Sequence, residues 1–433
     1  MEPVNVGIIG IVFLVFLFLL RMPVAFAMAF VGLLGFSYLG SVHAAFKLLA
    51  RDFFEQFTNF PLSAIPMFIL MGAFAFASGI GKRLYDAAYT ILGNLRGGLT
   101  LATVVACGFF AAICGSTAAT AATIGKIALP EMKRYKYDET FATGCVASAG
   151  TLGILIPPST IFLVYGIITE QSIGKLFIAG IIPGIILTFL FLLTVGFLCW
   201  RNPACAPAGA STKFKEKGKA LIGIIEALLL FGLVIGGLFL GWFTPTQAGG
   251  IGAAGALLIG FVRRELSWKV FIESTTDGLR TSCMVLCVIT GATVFGHFMA
   301  VSTIPFVLAD WVEKLPLPPM AIMGVIIFIY LVGGCFMDSM ALVVLTVPVI
   351  FPVVVRLGFD PIWFGVIIVL VAEMGVITPP VGVNVYVIKG IAPEVPLEKI
   401  FKGIFPFLIA LIINAALLMI FPRLALILPD LIK

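Results

Sequence analysis

The sequence predicts an all-α polytopic membrane protein made of two inverted-topology repeats with re-entrant hairpins and broken helices. Three observations carry this. First, the 433 residues are 61% hydrophobic and only 11% charged, whereas a soluble domain is nearer half apolar and a quarter charged. Second, apolar runs of membrane-spanning length recur from residues 4–20 to residues 404–421, giving about ten to twelve membrane segments, spanning or re-entrant. Third, Gly153-Ile154-Leu155-Ile156-Pro157-Pro158-Ser159 is echoed by Gly375-Val376-Ile377-Thr378-Pro379-Pro380-Val381. Adjacent prolines cannot donate backbone hydrogen bonds and clash with the preceding turn. Carbonyls freed at membrane depth need a cavity, an ion or a neighbouring helix as partner.

Shifting the chain by 222 residues lays Pro157-Pro158 on Pro379-Pro380, Gly153 on Gly375, Pro130 on Pro352 and Pro23 on Pro245. A shift of 219 pairs Gly72-Ala73 with Gly291-Ala292, and one of 223 pairs Pro183 with Pro406. The expected repeats are residues 1–200 and 220–433, joined by a basic linker at 201–219. Each repeat opens with a helix ending at a proline turn, Arg21-Met22-Pro23 or Phe243-Thr244-Pro245-Thr246. A second helix and a partly polar connector follow, 43–60 or 263–277. In the first half, Pro61 and Pro66 then predict a hairpin tip. Next comes a long segment carrying Gly115-Ser116-Thr117 or Asp338-Ser339, then the double proline, then a last apolar helix.

The net charge of +6 comes largely from Lys and Arg in loops, so it reports topology. Lys213, Lys215, Lys217 and Lys219 make the linker cytoplasmic by the positive-inside rule. Glu2, with Arg21 closing the first segment, places the N-terminus outside. The first segment lacks the basic region and cleavage site of a signal peptide. Each repeat then crosses an odd number of times, so the two are inverted. Inverted repeats with broken helices mark secondary transporters, whose sites lie at the breaks near the midplane.

Shift 222 also sets Ser116 on Asp338 and Thr117 on Ser339. Clusters of carbonyl, hydroxyl and carboxylate oxygens suit a hard cation, here Na⁺, and half-helix N-termini can face an anion. The expectation is a cation site in each half and an anionic substrate between them. Asp338 is the sharpest candidate, since an intramembrane carboxylate is costly; its structural alternative is to cap a half-helix after Gly333-Gly334. Ser159 and Thr378 can bond back to their own helices. Asn384 offers an amide to substrate or to a neighbouring helix. Glu226 lies close to the linker and Lys126 and Lys389 are the central cations, these three with snorkelling as the plain alternative, while Glu373 precedes the second break and is placed to tune it.

Several classes are excluded or unsupported. The eight cysteines and two histidines form no metal or disulfide pattern. No G-x-x-x-x-G-K-[ST] stretch suggests ATP hydrolysis, no catalytic constellation suggests an enzyme, and nothing points to nucleic acid. A channel fits two broken-helix sites less well than a carrier does.

The stretches Arg21-Met22-Pro23-Val24-Ala25-Phe26, Cys114-Gly115-Ser116-Thr117-Ala118, Gly153 to Ser159, Phe243-Thr244-Pro245-Thr246-Gln247-Ala248 and Val376-Ile377-Thr378-Pro379-Pro380-Val381-Gly382 resemble the large membrane subunit, DctM type, of tripartite ATP-independent periplasmic (TRAP) transporters. They cover nearly the whole chain and are specific together. Gln247 departs from the Glu usual in the family. The resemblance implies Na⁺-coupled uptake of an organic acid anion across the bacterial inner membrane, with C4-dicarboxylates and sialic-acid-like sugar acids as candidate cargo. It implies a periplasmic binding protein and a small four-helix membrane subunit as partners. It also implies an ion-transporter-superfamily-like architecture that works as an elevator, with at least two Na⁺ ions. Carried over by motif, Na⁺ would be held by Gly115, Ser116, Ile156 and Pro157 in one half and by Gly334, Asp338, Thr378 and Pro379 in the other. Substrate would meet Ser116, Thr117, Ser159, Asp338, Ser339 and Asn384. Gly153, Pro158, Gly375 and Pro380 would shape the breaks. A stand-alone cation–carboxylate symporter would share the repeats and the breaks.

Overall fold

Residue 23 shows how proline partitions this chain into helices. The helix α1 (Pro3–Leu19) stops at Arg21, whose φ is positive, and Pro23 opens α2 (Val24–Leu39), where its missing N–H costs nothing. The computed structural model describes residues 2–208 and 214–431, with 214–222 described by backbone alone. Lys213 therefore lies outside the described residues, as do the side chains of Lys215, Lys217 and Lys219.

Ser41 caps α3 (Val42–Thr58) by accepting from Ala44 N. The connector expected at 43–60 is thus mostly an amphipathic helix, with an Arg51–Glu55 pair one turn apart on its exposed face. Pro61 and Pro66 do not form a hairpin tip. A 3₁₀ turn, Phe60–Ser63, runs directly into α4 (Ala64–Ala77), and Phe60–Ala77 qualifies as one apolar span. Both prolines fall in its first turns, where the backbone N–H groups have no intrahelical acceptor to lose. Gly79, at φ +69°, turns the chain into α5 (Ile80–Leu92).

The rest of the first half comprises α6 (Gly98–Cys114), α7 (Thr117–Arg134), α8 (Glu139–Ala149), the short α9 (Leu152–Leu155), α10 (Thr160–Ile168) and the long α11 (Ile173–Arg201). In the second half, α12 (Phe214–Phe239) leads to α13 (Pro245–Val262). Thr244 and Gln247 form a capping box there: Thr244 N donates to Gln247 Oε1 and Gln247 N to Thr244 Oγ1. Glu and Gln serve equally in that motif, which accounts for the departure noted in the sequence. Helix α14 (Trp268–Val301) runs unbroken for 34 residues, so the second connector is helical from Trp268 onward. The chain continues through α15 (Ile304–Glu313), α16 (Pro319–Phe336), α17 (Ser339–Arg356), α18 (Pro361–Ile377), α19 (Val383–Ile391), α20 (Leu397–Ile420) and α21 (Arg423–Asp430).

Among the described residues, seven helices are long and apolar enough to cross a membrane. An eighth arises if 139–155 and 160–168, bent by 40°, form one broken span. Five more apolar helices are 10–17 residues long; counting them as segments accounts for the larger number expected from the sequence. Bulky side chains such as Ile9, Phe16, Phe30, Leu193 and Phe328 face outward, as a lipid-facing surface requires.

Boundaries recur between the halves. Helices α7 and α17 are both 18 residues and start 222 apart; α10 and α19 are both nine residues. Packing is exchanged across the halves, with α2 against α14, α4 against α13, α7 against α19 and α10 against α17. Small residues make this possible, since a Cβ on Gly32 would lie 2.8 Å from the Val294 carbonyl oxygen.

Candidate functional site

The first break is a backbone-to-backbone contact between two turns. Helix α6 ends at Gly115, φ +62°, and a Cβ there would sit 2.6 Å from the Pro158 carbonyl oxygen. Only glycine permits both the left-handed turn and that approach. Ser116 then caps α7, its Oγ accepting from Ala119 N at 3.4 Å. A Cβ on Gly153 would lie 2.6 Å from the Ser116 carbonyl oxygen. Thr160 Oγ1 donates to the Gly115 carbonyl at 3.1 Å, and Ser159 Oγ caps α10 from Phe162 N. The carbonyls of Gly115 and Pro158 thereby lie beside the N-terminus of α10, while the Ser116 carbonyl faces Gly153 and accepts from Thr120 N. The Ile156 side chain turns the other way, against Gly184 of α11, so the link Ile156-Pro157 can offer the break only backbone oxygens.

The second break repeats the arrangement with a carboxylate. Asp338 caps α17, Oδ2 accepting from Met340 N at 3.0 Å, so the capping role foreseen as an alternative is realised. Its side chain is exposed. A Cβ on Gly334 would lie 2.8 Å from the Ala372 carbonyl oxygen, and one on Gly375 would collide with the Gly334 backbone. Val381 N donates to Cys335 O at 3.3 Å, tying the Pro379-Pro380 turn to the end of α16. Thr378 Oγ1 donates back to Met374 O at 2.6 Å, the self-bonding expected of a hydroxyl at a helix end.

Between the breaks, side chains cross from one half to the other. Thr117 Oγ1 lies 2.8 Å from Gly150 O and 2.7 Å from Glu373 Oε2. Asn384 Nδ2 donates to Ala147 O at 3.1 Å, which makes it a link between α19 and α8. Ser339 is buried in the first turn of α17. The Thr117–Glu373 contact escaped the sequence reading, which placed Glu373 beside the second break alone. The apolar run around Glu373 was its only signal.

A groove of about 360 Å³ opens beside the first break, between α4, α7 and α14. Ser116, Thr123, Thr160, Asp277 and Thr281 give it polar groups and Phe76 an aromatic wall. Lys126, one turn along α7, lies 5.9 Å from the Phe76 ring centroid. The remaining candidates are engaged elsewhere. Glu226 pairs with Arg83 at 3.0 Å and with Arg263, and Lys389 donates to the carbonyls of Pro393 and Val395. All eight cysteines are free thiols.

At one end, two ion pairs clamp the α7–α8 turn onto the α19–α20 turn: Lys133–Glu394 at 2.6 Å and Lys399–Glu139 at 3.2 Å. The Lys133 ammonium holds the Glu394 carboxyl below its ordinary value. The same turn is bonded to the chain leaving α11, with Asp138 N donating to Cys205 O at 2.9 Å.

The family profile "Tripartite ATP-independent periplasmic transporter, DctM component" matches residues 11–424. The chain belongs to this DctM family. The C4-dicarboxylate TRAP transporter large permease protein DctM of Pseudomonas aeruginosa is 36% identical over 89% of this chain and 90% of its own length. The sialic acid TRAP transporter large permease protein SiaM of Vibrio cholerae is 33% identical over 95% of each. The 2,3-diketo-L-gulonate permease YiaN of Escherichia coli is 31% identical over 84% of this chain and 85% of its own. These relatives are permeases. The YdaH transporter of Alcanivorax borkumensis shares the fold, with a TM-score of 0.63 at 15% identity over 88% of this chain and 89% of that one. As a DctM-family permease with apolar spans, the protein is a multi-pass protein of the bacterial inner membrane.

Proposed function

We propose that this chain is the large permease of a TRAP system that takes up an organic acid anion, driven by Na⁺, by elevator-type alternating access. One observation carries the reading. The capped break at Ser116 lies against its double-proline turn through backbone contacts of Gly115 and Gly153, and the capped break at Asp338 lies against the end of α18 through Gly334 and Gly375 and against its own turn through the Val381 N–Cys335 O bond. Such a break offers backbone and side-chain oxygens to a hard cation. It also presents half-helix N-termini whose dipoles favour an anionic group.

In this mechanism one Na⁺ sits at each break. The first is held by oxygens of Gly115, Ser116 and the Ile156-Pro157 link, the second by Gly334, Asp338 and the Thr378-Pro379 link. Substrate contacts come from Ser116, Thr117, Ser159, Asp338, Ser339 and Asn384, with Asn384 also tying the halves together. The ions neutralise Asp338 and stiffen the turns, so the anion binds a site already paired with cations. Helices α2, α4, α13 and α14 stay as scaffold, and the helices of the two inverted repeats that hold the breaks carry this unit between the two membrane faces. Relatives named for C4-dicarboxylate, sialic acid and 2,3-diketo-L-gulonate support an organic acid as cargo. A periplasmic binding protein delivers it, and a small membrane subunit covers part of the exposed apolar surface.

Uptake in proteoliposomes tests this directly. Labelled C4-dicarboxylate, sialic acid and other sugar acids are offered with and without an inward Na⁺ gradient and with and without the cognate binding protein. Accumulation that needs both the gradient and the binding protein is expected. Accumulation without the binding protein would make the chain a stand-alone symporter, and gradient-independent flux would end the coupled reading.

A further inference from the structure

The Thr117–Glu373 contact poses a question of proton count. A threonine hydroxyl carries one proton, and neither a peptide carbonyl nor a carboxylate carries any. Yet Thr117 Oγ1 lies at hydrogen-bonding distance from both Gly150 O and Glu373 Oε2, at 2.8 and 2.7 Å. One proton can close only one of these contacts; the other sets two oxygen lone pairs against each other unless a second positive charge is supplied.

The surroundings contribute none. Glu373 is 1% exposed, and no Lys, Arg or His of the described residues pairs with it. An ionised carboxylate buried without a counter-charge is strongly disfavoured. Its second oxygen, Oε1, completes no hydrogen bond among the described residues, and neither does Ser339 Oγ, a buried hydroxyl close enough to act on the same carboxyl. Asn384 Oδ1, from the side chain that reaches Gly150, is likewise buried and unpartnered.

The charged group whose field reaches Glu373 is Asp338 at the head of α17, and it adds negative charge. On the other elements packed against α18, Tyr165 donates to Pro361 O, Tyr330 accepts from Thr346 and the Cys335 thiol donates to Leu331 O. Lys389 of α19 is bound to two carbonyls. The charged residues of α11, α20 and α21 sit toward the helix ends.

We propose that Glu373 binds a monovalent cation, a proton or Na⁺, at the seam between the halves, with the Thr117 and Ser339 hydroxyls as neighbouring oxygen donors. The site lies between the two breaks, next to their caps Ser116 and Asp338, and uses none of the residues proposed above to hold Na⁺. A proton on Glu373 Oε2 would donate to Thr117 Oγ1, whose own proton goes to Gly150 O; Na⁺ would accept electron pairs from the same oxygens. Either ion neutralises the seam and allows α7 and α18 to stay in contact. The site binds its ion whether or not the chain transports as proposed, but its role in coupling rests on that reading.

The test uses the full chain purified from the membrane with any subunit bound to it. Equilibrium binding of radioactive sodium, without substrate, is measured across a pH series for the wild type and Glu373→Gln. Loss of one Na⁺ per chain in the variant assigns Na⁺ to the site. An unchanged Na⁺ count with loss of the pH dependence of binding assigns a proton. A Glu373→Gln protein with wild-type thermal midpoint, Na⁺ count and pH dependence would overturn the proposal. Should Glu373→Gln fail to fold, Ser339→Ala and Thr117→Val give the same reading. Each is expected to weaken cation binding about tenfold, the equivalent of one lost polar contact, with Thr117→Ser restoring it; unchanged affinity in both would also overturn the proposal. Absence of Na⁺-driven uptake by the wild type would end the transport reading and leave these binding results standing.

Discussion

Gly153 and Ser116 are in backbone contact: a Cβ on Gly153 would lie 2.6 Å from the Ser116 carbonyl oxygen and equally near Thr120 Oγ1. Gly153→Ala must therefore push the double-proline turn off the α7 cap. Overpacking of a closed contact costs about 1–3 kcal/mol, so a lowered thermal midpoint and reduced uptake are expected. Wild-type values for both would show that the turn moves aside freely.

Asp338 serves as a helix cap and as the charged member of the second break, and two substitutions separate these roles. Asparagine caps as well as aspartate does, whereas alanine forfeits about 1 kcal/mol. Asp338→Asn is expected to keep its thermal midpoint while losing most Na⁺-driven uptake. Asp338→Ala should lose both. Undiminished uptake in the asparagine variant would remove the carboxylate from the ion site.

Replacing Pro157-Pro158 with two alanines restores two backbone donors and removes the steric block to helix. The expected result is an inserted, folded protein whose uptake is weak and poorly stimulated by Na⁺. A Na⁺ activation curve indistinguishable from wild type would show that the break does not shape the ion site.

The Lys133–Glu394 clamp gives a pH prediction with a definite sign. Glu394 titrates below its ordinary value because Lys133 donates to it, and Lys133 titrates above its own for the same reason. The stabilisation is present above the ordinary carboxylate range and fades as pH falls through the lowered value. It fades again only in strongly basic solution, as pH rises through the raised value of Lys133. Both groups are exposed, so the effect is small and screened by salt. Glu394→Gln should therefore lower the thermal midpoint slightly at neutral pH and low salt but make no difference in strong acid. The charge-swapped pair Lys133→Glu with Glu394→Lys should recover the loss.

Much of the architecture was legible because its breaks are made by proline and glycine, whose effects are local. Pro157-Pro158 and Pro379-Pro380 mark the turns wherever tertiary contacts lie, and Ser116 and Asp338 announce caps by residue type. A residue with two structural uses is not resolved by local pattern. Pro61 and Pro66 look like a tip, but a helix tolerates proline in its first turn, and only the neighbouring chain decides which applies. The partner of Glu373 was hidden for another reason: Thr117 stands 256 residues away, and no local pattern brings those two helices together.

The bond between Asp138 N and Cys205 O ties the chain leaving α11 to the α7–α8 turn, whereas α12, beyond the linker, packs against α5, α13 and α6. Under the proposed elevator, any change in the spacing of these two anchorages has to be taken up by the chain that joins them. Residues 207–213, at full extension, reach about 25 Å. Deleting a few of these residues is therefore expected to slow uptake while leaving cargo binding unchanged, and uptake at the wild-type rate would show that the joining chain never draws taut.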